Sequence, residues 1–225
     1  MLGPYSGKEW ENGPGTGTCA MRFRYPANDN QSEQRWHFDG GLSELWFGYW
    51  WKVPINFYHG TVGSGSNQKL NALWMDEYEF QGDGVGPTWT CQFRRADTNG
   101  SSRLSCYHIS SDPGASSGET GQVGGSSNLI TTPDDRGRWM FLLYYIKAAT
   151  GIGTLDGVAK IYRMWEGGSS FELLWEDTDM DTYVPAGLSG FHYGYIMGWN
   201  NTLYAEETEF LMDDFTIWNY NPGLV

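Results

Sequence analysis

Trp139-Met-Phe-Leu-Leu-Tyr-Tyr-Ile-Lys147 is followed by a Gly/Thr-rich bend ending in Asp156-Gly157. Then come Val158-Ala-Lys-Ile-Tyr-Arg-Met-Trp165, a Glu-Gly-Gly-Ser-Ser turn and Phe171-Glu-Leu-Leu-Trp175. The first run is apolar on both alternating faces, the pattern of a strand buried between two layers. The second and third are rich in aromatic and β-branched residues, and Gly167-Gly168 parts them, so they read as a hairpin. Together they predict consecutive strands in the middle of an antiparallel sheet.

Working outward, other runs repeat the pattern. Cys19-Ala-Met-Arg-Phe-Arg-Tyr25 and Glu44-Leu-Trp-Phe-Gly-Tyr-Trp-Trp-Lys-Val53, stopped by Pro54, read as strands. So do 69–80, 89–96, 103–109, 190–198 and 207–218. Residues 26–34 read as a polar loop, and 60–67 and 110–128 as Gly/Ser-rich loops. No run carries a three-turn helical stripe. About ten or eleven strands predict an all-β fold, an antiparallel two-sheet β-sandwich of jelly-roll type. Residues 1–18 read as an irregular N-terminal arm and 19–225 as one domain.

The 225-residue chain is long enough to bury roughly 70–75% of its unfolded surface without disulfides or metals. Its net charge of −13 argues against nucleic-acid binding and also against anionic membranes and long anionic polymers as partners, unless basic residues cluster locally. No stretch is apolar enough to insert in a membrane. The opening Met-Leu-Gly-Pro-Tyr-Ser-Gly has no basic region leading into an apolar run, so no signal peptide is expected there. Aromatics make up 16% of the chain, which suits both a sandwich core and a surface on which sugar rings stack.

The order of segments resembles the concanavalin A-like lectin/glucanase superfamily. The resemblance lies in Glu44-Leu-Trp-Phe-Gly-Tyr-Trp-Trp-Lys52, Asn67-Gln-Lys69-Leu70, and Gly137-Arg-Trp139 with Lys147 and Asp156-Gly157. Tyr195-Ile-Met-Gly-Trp-Asn200 and Phe210-Leu-Met-Asp-Asp-Phe-Thr-Ile217 extend it, to roughly residues 19–220 as architecture. In spacing it is most similar to polysaccharide lyases of the heparin lyase I and glucuronan lyase type. Such domains occur in phage and marine proteins as adhesins, decoration proteins or depolymerases, which implies an extracellular or virion-surface location.

The Asp97-Thr-Asn-Gly100 turn sets the register of one hairpin, with Cys91 opposite Cys106. Cys91, Phe93, Leu104 and Cys106 then share the core face, and Gln92, Arg94, Arg103, Ser105 and Tyr107 share the other. A bridge between Cys91 and Cys106 depends on register and compartment, and Cys19 is left outside the pair. The resemblance implies that the polar face lines the concave, glycan-binding side, with Gln92, Arg94, Arg103 and Tyr107 as contacts. For a lyase, Gln92, Arg94 and Tyr107 would act with Tyr145 and Lys147 to neutralise a carboxylate and move a proton. The four histidines, His37, His59, His108 and His192, fall in no fixed motif, and His108 has core-face parity.

Asp76-Glu77-Tyr78-Glu79 offers a second acidic candidate. Glu77 and Glu79 would share a strand face with Cα atoms about 7 Å apart, compatible with the roughly 5–5.5 Å carboxyl spacing of a retaining glucanase. The resemblance also suggests that Asp213 or Asp214 holds a structural Ca²⁺, though no cofactor is required. Three functions follow, the first preferred to the others because no acid–base set stands at family spacing. The first is a glycan-binding or virion-surface structural module, whose partners are a polysaccharide, a cell-surface glycan or fellow subunits of a surface assembly. The others are a lyase acting on a uronic-acid polymer and, more weakly, a retaining glucanase.

Overall fold

A computed structural model describes residues 8–9, 14, 19–60, 67–75, 88–109 and 128–225. Its strands are β1 (Lys8–Glu9), β2 (Ala20–Tyr25), β3 (Gln34–Leu42), β4 (Glu44–Lys52), β5 (Asn67–Trp74), β6 (Thr88–Arg95), β7 (Ser102–Ile109), β8 (Trp139–Lys147), β9 (Gly157–Trp165), β10 (Glu172–Met180), β11 (Phe191–Ile196) and β12 (Thr208–Trp218). They form a seven-stranded sheet, ordered β1-β2-β12-β4-β8-β9-β10, and a five-stranded sheet, ordered β3-β11-β5-β6-β7. The strands pair antiparallel throughout, and the described residues contain no helix. This is the predicted all-β sandwich.

The core lies between the sheets. Leu45, Phe47, Tyr49 and Trp51 of β4 and Met140, Leu142, Tyr144 and Ile146 of β8 point inward, facing Trp89, Cys91 and Phe93 of β6. Trp51 stacks flat on Phe210 with centroids 4.9 Å apart, and Phe47 on Tyr144 at 4.3 Å. Burying each such side chain is worth about 1.5–3 kcal/mol. At Gly194 a Cβ would stand 2.2 Å from the Trp36 indole, so only glycine lets that ring lie on β11.

The stretch 139–180 departs from expectation at one end. β8 and β9 are interior, but β10 is the edge of the seven-stranded sheet. Its charged residues Glu172, Glu176, Asp177 and Asp179 suit a protected edge. β3 begins at the end of the expected loop over 26–34, where no strand was predicted. Its alternation was nonetheless present: Trp36 and Phe38 stack at 5.9 Å on one face while Arg35, His37 and Asp39 are exposed on the other. β5 ends at Trp74, and the acidic run 76–79 lies outside the described residues.

The 91–106 hairpin has the predicted register. Cys91 pairs with Cys106, Gln92 with Ser105, Phe93 with Leu104 and Arg94 with Arg103. Cys91 and Cys106 form a disulfide with Cα atoms 4.0 Å apart. The Asp97 carboxylate accepts the Asn99 and Ser101 amides at 2.8 and 3.1 Å, and Gly100 takes φ +82 to close the turn. Hydrogen bonding from the Ser101 side chain first, and then from these amides, holds the Asp97 carboxyl below the ordinary carboxylate range.

One irregularity positions the site. The β5–β6 register shifts between Lys69 and Asn71, so Leu70 and Asn71 both enter the core while Lys69 stays opposite Gln92. Asn71 crosses the core to the other sheet. Its amide donates to Tyr144 Oη at 2.7 Å and to Tyr49 Oη at 2.9 Å. Desolvation pushes both tyrosines well above their usual range, so they stay neutral partners of the amide. A bulge of this kind re-aims side chains at functional positions.

Candidate functional site on the outer face of the five-stranded sheet

Strand register places Arg35 and His37 of β3, Tyr193 and Tyr195 of β11, and Asn67, Lys69, Ala72 and Trp74 of β5 on this face. Thr90, Gln92 and Arg94 of β6 and Arg103, Ser105 and Tyr107 of β7 complete it. Rings line one half: His37 stacks on Tyr193 at 5.8 Å, Tyr193 on Trp74 at 6.1 Å, and Tyr195 tilts against Trp74 at 5.9 Å. Polar and cationic groups fill the other half.

Lys69 is the centre of that second half. Its Nζ donates to Tyr107 Oη at 2.9 Å and to Gln92 Oε1 at 3.2 Å, and lies 5.0 Å from the Tyr107 ring centroid. Gln92 is 1% exposed, covered from outside rather than turned into the core. Asn67 Nδ2 also donates to Gln92 Oε1. Asn201 Nδ2 donates to Asn67 Oδ1 at 2.6 Å, and the Trp199 indole N–H donates to Asn201 Oδ1 at 2.8 Å.

The polarity of this chain is fixed at both ends, because an indole N–H and an ammonium only donate. Every amide between them must present its oxygen toward Trp199 or Lys69. Gln92 Oε1 is therefore saturated, and Gln92 Nε2 is buried with no hydrogen-bond partner among the described residues. Tyr107 Oη accepts from Lys69, so its own proton has no acceptor among the described residues. Such a face has N–H and O–H groups to offer an anion, beside a lysine whose partners are neutral oxygens.

The sequence-predicted residues divide between the two sheets. Gln92, Arg94, Arg103 and Tyr107 share this face, with Arg94 half-buried and Arg103 exposed. Tyr145 and Lys147 do not join them. They lie on β8, and because Tyr144 points across the core to Asn71, Tyr145 faces away on the far side of the other sheet. There Tyr145 Oη donates to Glu44 at 3.0 Å, and burial together with that carboxylate pushes its hydroxyl up to about 12. Lys69, Asn67, Trp199 and Asn201 were not singled out as site residues. Lys69 stood in the quoted Asn67-Gln-Lys69-Leu70, but the bulge after it defeats a strict count of alternation.

Asp213 and Asp214 form a bulge on β12, where Asp213 Oδ1 accepts the Asp214 amide at 2.9 Å and Asp214 has φ +50. Two carboxylates fall short of the six to eight oxygens calcium takes. No group of three or more His, Cys, Asp or Glu suited to a metal stands among the described residues. His108 is buried between Asp177 and Asp181, at 3.3 and 3.1 Å, where β7 meets β10 at the sandwich edge.

The two sheets and their topology define a concanavalin A-like jelly roll. No protein-family model matches the chain, and no curated protein matches it in sequence. Among solved structures it is similar to the alginate lyase vAL-1 from Chlorella virus. The TM-score is 0.59 and the identity 13%, over 95% of this chain and 89% of that one. It is more distantly similar to the VIP36 exoplasmic/lumenal domain (TM-score 0.47, 14% identity, 92% and 85% covered). The alginate lyase AlyA1 from Zobellia galactanivorans follows (TM-score 0.41, 11% identity, 88% and 77% covered). At these identities the likeness is one of fold.

Proposed function

We propose that the chain is a polysaccharide lyase that cleaves a uronate-containing polymer by β-elimination on the outer face of the five-stranded sheet. The observation that carries this reading is the Lys69–Tyr107 contact at 2.9 Å beside the buried, unsatisfied amide of Gln92. Elimination needs a carboxylate neutralised, a proton taken from C5 and a proton returned to the departing C4 oxygen. Arg94, half-buried on this face, would bind the uronate carboxylate and stabilise the charge that builds there as C5 loses its proton, while the buried Gln92 amide would hold Lys69 in position. The Tyr107 oxygen, its own proton first released to solvent and its negative charge held by the Lys69 ammonium, takes that proton. The C5–H electron pair becomes the C4=C5 double bond, the C4–O bond breaks, and the leaving oxygen is protonated from Tyr107. The Lys69 ammonium, donating to the phenol oxygen, stabilises negative charge there during the transfer.

The fold-level likeness to an alginate lyase supports this reading by analogy. The chain's acidity does not oppose it, because screening confines distant charges to within about 10 Å while Lys69, Arg94 and Arg103 act at contact. A second reading, glycan binding without turnover, is favoured by the His37–Tyr193 stack, which is open to solvent and backed by the buried rings of Trp74 and Tyr195. In either case the Cys91–Cys106 disulfide suits an extracellular or virion-surface setting. The test is incubation with alginate, polygalacturonate, glucuronan and heparin, followed by the ultraviolet absorbance of unsaturated uronate ends. Growth of that absorbance with one polymer is expected. Binding without absorbance would replace the lyase by the second reading.

A further inference from the structure

The amide chain leading away from Gln92 ends on Trp199, and the function proposed above leaves that residue unused. Residue 199 is held firmly. After β11 the backbone turns through Met197, at φ +57, and then runs along β5. Met197 N donates to Leu70 O at 2.8 Å, Lys69 N to Trp199 O at 3.0 Å, and Asn201 N to Asn67 O at 2.9 Å. Gly198 permits this approach: a Cβ there would stand 3.1 Å from Lys69 Cβ and 3.3 Å from the Tyr195 ring. Trp199 is thus a neighbour of the strand that carries Lys69, about 10 Å from β6 by strand spacing.

The side chain of this rigid segment is 42% exposed, whereas Trp51, Trp89 and Trp175 are fully buried. Its one polar atom is already committed, since Nε1 donates to Asn201 Oδ1 at 2.8 Å. That bond fixes the ring plane and leaves apolar ring surface in solvent. A large aromatic with its orientation set before a ligand arrives loses little freedom on binding. Its negative π-face attracts the weakly positive C–H face of a pyranose.

We propose that Trp199 is the stacking platform of a second sugar subsite, contacting a ring of the same polysaccharide away from the one held at Tyr107. The inference rests on the glycan-directed reading of the Lys69–Tyr107 face and adds a residue that acts on binding rather than on proton transfer. Asn201, which orients Trp199, also donates to Asn67, but Lys69 holds Gln92 Oε1 independently at 3.2 Å, so loss of the Trp199 N–H leaves the Gln92 amide oriented.

The test compares wild type, Trp199→Ala and Trp199→Phe on a length series of oligouronates from the polymer that wild type cleaves. If wild type binds that polymer without cleaving it, Kd replaces KM. Trp199→Ala is expected to raise KM about tenfold on long oligosaccharides, to leave the shortest substrate unchanged and to keep kcat. Trp199→Phe, which retains a ring, is expected to recover most of the loss. Wild-type length dependence in Trp199→Ala would overturn the subsite while leaving the Lys69–Tyr107 reading intact. A loss confined to kcat, or equal at all lengths, would also overturn it. If wild type neither binds nor cleaves any polymer of the panel, the underlying reading fails and the subsite falls with it.

Discussion

Tyr107 and Tyr145 are the same chemical group on the outer faces of opposite sheets, and their surroundings differ in sign. Tyr107 accepts a hydrogen bond from the Lys69 ammonium at 2.9 Å. Tyr145 donates one to the Glu44 carboxylate at 3.0 Å, which with burial raises its hydroxyl to about 12. The contrast extends to the cations around them. On the seven-stranded face Arg22 pairs with Glu209 at 3.0 Å, Arg24 with Glu207, and Lys160 with Glu176 at 2.5 Å. On the five-stranded face Arg35, on the β3 edge, pairs with Glu33 at 2.6 Å, but Lys69 and Arg103 meet no carboxylate among the described residues. A cation held by neutral oxygens keeps its field for a ligand, whereas a paired one spends it within the fold. In a chain of net charge −13, that local arrangement is what the proposed anionic substrate would meet.

The largest expected effect follows from this difference. Lys69→Ala should lower kcat/KM by about a hundredfold or more by removing charge stabilisation at the reacting oxygen. Lys160→Ala, on the other face, should leave turnover within about twofold. Equal effects from the two would erase the distinction between the faces.

Asn71 sharpens the comparison from inside. Asn71→Ala would leave the Tyr49 and Tyr144 hydroxyls only each other, 3.1 Å apart, as partners and should cost about 1–3 kcal/mol in chemical denaturation. It should also lower activity through the bulge that sets Lys69 opposite Gln92. Loss of stability with unchanged activity would show that the bulge does not position the site.

Arg103→Ala should weaken substrate binding only a few-fold, and less so at high salt, because Arg103 is exposed and screened. A salt-independent loss would contradict the assignment of a simple surface charge.

The smallest effect concerns the edge where the sheets meet. Burial works to raise Asp177, but hydrogen bonds from His108 and Asp179 outweigh it and bring its carboxyl below the ordinary value. A depressed carboxyl contributes stability that is full above its unfolded value and is lost as pH falls through the folded one. Wild type should therefore lose more stability than Asp177→Asn below about pH 4. Identical acid-unfolding curves would remove the linkage.

The two outer faces were not equally legible in the sequence. The Asp97–Gly100 turn and strict alternation were enough to place Gln92, Arg94, Arg103 and Tyr107 together, because a tight hairpin fixes register locally. Tyr145 was expected to act beside Gln92 and Tyr107, but alternation cannot say which sheet a strand joins. That depends on β4 pairing with β8, a contact between segments far apart in the chain. Lys69 escaped because a bulge breaks the period of two beside it. Trp199 and Asn201 escaped because they follow a left-handed turn at Met197, outside any regular pattern. The strand β3 was missed for a weaker reason: its alternation of Trp36 and Phe38 with Arg35, His37 and Asp39 is visible, but it follows directly on a polar loop.

The most direct test of the account exchanges only a hydroxyl on each face. Wild type, Tyr107→Phe and Tyr145→Phe are compared for release of unsaturated uronate ends from alginate, polygalacturonate, glucuronan and heparin, with thermal melting as a check on folding. The account predicts that Tyr107→Phe abolishes release while Tyr145→Phe keeps it near wild type, with both proteins folded. Undiminished release by Tyr107→Phe, or loss of release in Tyr145→Phe alone, would contradict it.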